Sequence, residues 1–150
     1  MSEPVTAFIS ERGGSDFAVR IVTGRHSLTG DEPAASGGAD IGPNPYQLLV
    51  AALGECTAMT VRWFARQKGW PLDHVSVTVT HRKGEVEGRP GSTDIFDKIV
   101  LIEGEQLSEE QRTRLLDVAA KCPVHRTLES QPLIATVAGA VQPPASPLTR

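Results

Sequence analysis

The stretch NPYQLLVAALGECTAMTVRWFARQKG, residues 44–69, decides the fold. Asn44 is a good N-cap, and Pro45 fits the first helical position, where its missing N–H costs nothing. Gln47 stands three residues after the cap, the spacing of a capping box. Arg62, Arg66 and Lys68 crowd the far end, where the helix dipole is negative, and Gly69 and Pro71 stop the chain. These signals predict a helix of about six turns. Its middle is apolar on every side, so it is expected to be a buried central helix.

Working outward, the segments before this helix read as strands. VTAFISER (5–12) and DFAVRIVT (16–23) flank GGS, a hairpin turn, and RHSLTGDE (25–32) makes a third short segment. PAASGGADIGP (33–43) is a loop of small residues. Beyond the helix, HVSVTVTHRK (74–83) alternates Val75, Val77 and Val79 on one face, and DIFDKIVLIEGE (94–105) follows after a polar loop. Ser108 caps EEQRTRLLDVAAKC, whose first turn is acidic, and Cys122 is expected to end that helix. Pro123 opens a further helical turn, PVHRTLES, and a strand PLIATVAGAV (132–141) closes the domain. The order β-β-β-α-β-β-α-β is that of an α+β fold, not of a doubly wound sheet. One domain is expected over residues 1–142, with 143–150 a disordered tail.

Composition narrows the function. The net charge of −3 and the lack of a basic stripe argue against nucleic acid. The longest apolar run, Leu48 to Leu53, falls far short of the roughly 20 residues of a membrane span. MSEPVTAFIS lacks the charged-then-apolar pattern of a signal peptide. No cofactor motif is present. Two cysteines are too few for a disulfide scaffold, so the expected setting is a reducing cytoplasm.

Those two cysteines carry the chemical question. Cys56 lies in the apolar helix, where a free cysteine usually packs as a small hydrophobe. Three features point the other way. Gly54 weakens the helix by roughly 1 kcal/mol relative to alanine, which implies that something packs closely there. Thr57 and Thr60 bring hydroxyls into an apolar segment. Cys122 is followed by Pro123-Val124-His125-Arg126, a donor-rich, positive turn of the kind that lowers a thiol's pKa. Cys122 with His125 also has metal-ligand spacing, and His26, His74 and His81 are available. No further Cys or His pair completes a zinc set, and His74 and His81 read as solvated strand ends. Glu55, about 100° around the helix from Cys56, is not placed to be its base and is suited to pair with a basic side chain across an interface. No histidine is placed by sequence to activate Cys56 for acyl transfer.

Taken together, GPNPYQLLVAALGECTAMTVRWFARQKGW and LSEEQRTRLLDVAAKCPVHRTLES resemble the OsmC/Ohr family of osmotically induced and organic-hydroperoxide-resistance proteins. The shared features are the NP helix start, the small-residue helix carrying one cysteine and the CPVH turn carrying the other. GRHSLTGDEP (24–33) resembles a subgroup related to hydrolase-fused members. The resemblance implies an intertwined homodimer with long central helices against antiparallel sheets. It implies a thiol peroxidase that needs no cofactor and no metal, with hydroperoxide as substrate and a dithiol reductant as partner. Cys56 would be the peroxidatic thiolate and Cys122 the resolving thiol. A supporting arginine is assigned first to Arg25, with Arg20 and Arg12 as alternatives. The hydroperoxide-resistance branch has an acid directly after NP; here Tyr46 and Gln47 stand there, and Glu55 is the candidate replacement. That departure supports an alternative, a non-catalytic dimeric module binding a small apolar ligand.

Overall fold

The computed structural model describes residues 3–139. Two compact units emerge: residues 3–48 with 134–139, and residues 49–133.

The first unit is built on a three-stranded antiparallel sheet, β1 (Ala7–Glu11), β2 (Val19–Thr23) and β3 (His26–Gly30), in that order. β2 starts at Val19 rather than Asp16. The Ser15 hydroxyl oxygen accepts the N–H groups of Phe17 and Ala18, which turns the chain before the ladder begins. The same hydroxyl donates to Asp31 at 2.7 Å. Asp31 is buried and also accepts the backbone N–H groups of Glu32, Ala39 and Ile41, so one carboxylate organises the loop after β3. The Ser15 hydroxyl and these N–H groups outweigh burial and hold the Asp31 carboxyl below its ordinary value.

Helix α1 (Pro45–Lys68) runs as its sequence predicts. The capping box is complete: Asn44 N–H donates to Gln47 Oε1 and Gln47 N–H to Asn44 Oδ1, each at 2.8 Å. At the other end Gly69 takes φ +66°, and the bonds from Trp70 N–H to Ala65 O and from Gly69 N–H to Arg66 O close a Schellman motif.

In the second unit, β4 (His74–Glu85) and β5 (Ser92–Glu103) form a long antiparallel hairpin, with Val75 opposite Ile102, Val77 opposite Val100 and Val79 opposite Lys98. α2 (Glu109–Ala119) carries a full capping box between Ser108 and Gln111, and α3 (Pro123–Glu129) follows. The core joins Val61 and Ala65 of α1 to Leu72, Leu107, Leu115 and Ala119, with Val75, Val100 and Ile102 of the sheet packed against them. The predicted close packing at Gly54 is present: a Cβ there would stand 3.3 Å from Val79 Cγ2.

Several expectations are corrected. Burial of α1 follows a single i, i+4 stripe, Leu53, Thr57, Val61 and Ala65, whereas Met59 and Trp63 are 62% and 60% exposed. One sheet and one helix can cover only one side of an apolar cylinder. By length and composition alone α1 is long and apolar enough to cross a membrane, a test that a core helix also passes, and its buried stripe serves this core. The closing strand is not formed over residues 132–139; Leu133, Ile134 and Val137 are exposed and no ladder partner accompanies them. Residues 140–141 and the proposed tail lie outside the described residues. His81 is no solvated strand end: its Nε2 is 2.8 Å from Asp94 and its ring lies 5.0 Å from that of Phe96.

Candidate functional site

Cys56 and Cys122 come together, both as free thiols. Cys122 does not end α2. Pro123 forces the preceding residue out of the helical region, and Cys122 takes φ −66°, ψ 154° as the N-cap of α3. The first turn of α3 then offers two backbone donors, because Pro123 has none. Val124 N–H donates to Cys56 Sγ at 3.5 Å and His125 N–H to Cys122 Sγ at 3.4 Å. Two sulfurs thus occupy the place that oxygen caps usually fill. The two thiols are thus capped by consecutive amides of one helical turn.

The sulfurs differ in access. Cys122 is fully buried, whereas Cys56 is half-buried and lines a cleft with Ala52, Met59, Trp63, Pro123 and Val124. Glu55 stands in the same cleft, as do Lys121 and Arg126. Glu55 and Arg25 form no ion pair among the described residues. Arg25 occupies the exposed turn between β2 and β3 of the first unit. In that unit Arg20 donates to the Ser27 hydroxyl and Arg12 to the Thr29 hydroxyl.

Behind the sulfurs lies a group that sequence reasoning missed. Lys98 shares the inward row of β5 with Phe96, Val100 and Ile102. Its ammonium reaches Ala119 O at 2.6 Å, His125 Nδ1 at 2.8 Å and Thr57 Oγ1 at 3.2 Å. Thr57 is fully buried, donates to Leu53 O at 2.8 Å, and lies 3.4 Å from Cys122 Sγ. His125 Nε2 is 2.6 Å from Glu129 Oε1. Burial pushes the Lys98 ammonium below its ordinary pKa, against the opposing pull of Cys122, Cys56 and Glu129. Burial pushes the Cys122 thiol up, but the Thr57 hydroxyl, His125 N–H, Cys56 and Lys98 together hold it below its ordinary value. The signal for Lys98 was available: the alternation of β5 puts a lysine in an apolar row, and a charge there needs partners.

Cys122 and His125 are neighbours, as their spacing suggested, but the imidazole is turned to Lys98 and Glu129. No group of three or more metal-ligating side chains occurs among the described residues.

The model of the OsmC-like protein family matches residues 37–137. The chain belongs to the OsmC-like family. No curated protein matches it. An OsmC-like protein from Mycoplasma pneumoniae superposes with a TM-score of 0.69 at 20% identity, covering 87% of this chain and 91% of that one. An organic hydroperoxide resistance protein OsmC from Legionella pneumophila gives 0.61 at 23%, over 84% and 89%. The organic hydroperoxide resistance protein OhrB of Bacillus subtilis gives 0.55 at 24%, over 84% and 92%. At these identities the likeness is one of fold: an α+β architecture with antiparallel sheets and a long helix.

Proposed function

We propose that this OsmC-like protein is a thiol peroxidase that reduces hydroperoxides. The carrying observation is the pair of free thiols capped by the consecutive amides of Val124 and His125, one fully buried and one at an open, largely apolar cleft. The names of its hydroperoxide-resistance neighbours support the same reading. Cys56 is the attacking thiol because it lines the cleft. Its thiolate attacks the O–O bond; an S–O bond forms, the O–O bond breaks, and the alkoxide takes a proton to leave as alcohol. Cys122 then attacks the sulfenic sulfur. The S–S bond forms, and the departing hydroxide takes a proton to become water. A dithiol reductant, at hand in a reducing cytoplasm, returns both thiols. The Ala52, Met59 and Trp63 wall of the cleft suits an organic hydroperoxide.

The reading includes a homodimer. Met59 and Trp63 leave α1 with an exposed apolar side that a second copy would cover. Glu55 and Arg25 are retained as candidate supporting groups on the resemblance alone.

The test is consumption of an organic hydroperoxide with a dithiol reductant. Wild type should turn over and Cys56→Ser should not; undiminished turnover in that variant removes the assignment. The apolar cleft also favours a second reading, a dimeric module binding a small apolar ligand. Mass spectrometry after mild peroxide separates the two. A catalytic pair loses two hydrogens per chain, whereas a binding module keeps both thiols.

A further inference from the structure

We infer that Lys98, held in place by His125 and Glu129, is the positioning cation that keeps the Cys56–Cys122 pair singly ionised. This inference rests on the thiol-peroxidase reading for its use, though not for its test.

An ammonium has three N–H donors and no acceptor. Lys98 spends its three on Thr57 Oγ1, Ala119 O and His125 Nδ1. His125 Nδ1 is therefore the acceptor, its proton sits on Nε2, and Nε2–H donates to Glu129. With Lys98 as the charged donor, the imidazole bridges it to the Glu129 carboxylate. With Glu129 fixing the tautomer, the three groups form a chain that ends on the thiol pair.

Thr57 transmits the state of the sulfur. Its single hydroxyl proton goes to Leu53 O, and one lone pair takes the Lys98 N–H. In that arrangement Cys122 must donate its S–H to Thr57 Oγ1. Once Cys122 is ionised, the hydroxyl turns its proton onto the sulfur across the same 3.4 Å contact. The thiolate then accepts from Thr57 and from His125 N–H, with the Cys56 thiol on the next amide and the Lys98 charge behind Thr57. The other ionisable groups near the pair are Glu55 on α1, Lys121 after α2 and Arg126 on α3, all on the Cys56 side.

A pair with one proton resolves a difficulty of the two-step chemistry. The Cys122 thiolate takes the proton of Cys56 as Cys56 attacks the peroxide. The alkoxide leaving group then collects that proton from Cys122. Cys122 is again a thiolate, ready to attack the sulfenic acid. No base outside the pair is needed for the first step, and the buried sulfur is charged when its turn comes.

The experiment is a pH titration of thiolate absorbance in the full-length protein, in wild type, Lys98→Gln and Lys98→Arg, with folding checked by circular dichroism. Lys98→Gln keeps amide donors and loses the charge, and Lys98→Arg keeps the charge. Wild type should show one thiolate per chain, with a midpoint below that of an ordinary thiol. Lys98→Gln should raise the midpoint by about one unit or more, a roughly tenfold loss of thiolate on the acid side. Lys98→Arg should stay near wild type. A low midpoint in Lys98→Gln overturns the inference, and so does an equal rise in both variants. Glu129→Ala, an exposed change, should raise the midpoint by less than Lys98→Gln; no rise removes the His125–Glu129 part. Failure of the peroxidase reading shows separately, as wild type that titrates in this way and consumes no hydroperoxide.

Discussion

Thr57 Oγ1 and Cys122 Sγ lie 3.4 Å apart, and both side chains are withdrawn completely from solvent. Threonine and valine have the same shape, so Thr57→Val isolates the hydroxyl. The variant strips Lys98 of one acceptor and Cys122 of one partner without opening a cavity. The expected cost is about 1–3 kcal/mol, the penalty for leaving buried polar groups unpaired. Urea unfolding measures it, and Thr57→Ser should recover part of the loss. An unchanged midpoint for Thr57→Val would remove the hydroxyl from the polar chain.

Asp31 supplies a pH dependence with a defined sign. Its carboxyl is held below the ordinary value by the Ser15 hydroxyl and three backbone N–H groups. A depressed folded pKa means stability that is complete above about pH 4 and is lost as pH falls through the lower folded value. Asp31→Asn should therefore be less stable than wild type near neutrality. Its stability should also fall less steeply in acid. Thermal unfolding between neutral and acid pH tests this, and parallel curves for the two proteins would contradict it.

At Gly54 two effects of similar size oppose each other. Alanine gains about 1 kcal/mol of helix propensity, but its Cβ meets Val79 Cγ2 at 3.3 Å. Gly54→Ala alone should shift stability by less than about 1 kcal/mol. In a Val79→Ala background the contact is gone, and the same change should stabilise by about 1 kcal/mol. A double-mutant cycle reads the difference; additivity would mean that the helix and β4 do not press on each other.

Leu115 and Leu116 are sequence neighbours with opposite fates. Leu115 is wholly buried in the core and Leu116 is 49% exposed. Leu115→Ala should cost about 2–5 kcal/mol, and Leu116→Ala less than about 1 kcal/mol. Equal costs in denaturant unfolding would show that the register of α2 differs from the one described.

The sequence-visible parts of this protein are those governed by local chemistry. Asn44, Pro45, Gln47 and Gly69 bound α1 because caps act within one turn, and alternation exposed the β4–β5 hairpin. The family model spans residues 37–137, which include both cysteine segments. Tertiary effects were harder to see. The pattern of α2 runs on to Cys122, but the conformational demand of Pro123 makes that residue a cap for α3. Lys98 was overlooked because its meaning depends on which face of β5 turns inward, and on His125 arriving 27 residues later to meet it. Residues 132–139 of the expected strand carry strong β propensity, but propensity does not supply a neighbouring edge. The placing of Arg25 and Glu55 rests on resemblance, and among the described residues no charge pair accompanies either side chain.

The sulfur caps of α3 tie covalent chemistry to backbone order. A sulfur consumed in an S–S bond is a poorer acceptor than a thiolate and sits at a new angle. Val124 and His125 would then lose the groups that anchor their amides. The oxidation state of the thiols and the fraying of a short helix thus become one variable. Amide exchange at two consecutive residues would report the redox history of the molecule without any label on sulfur.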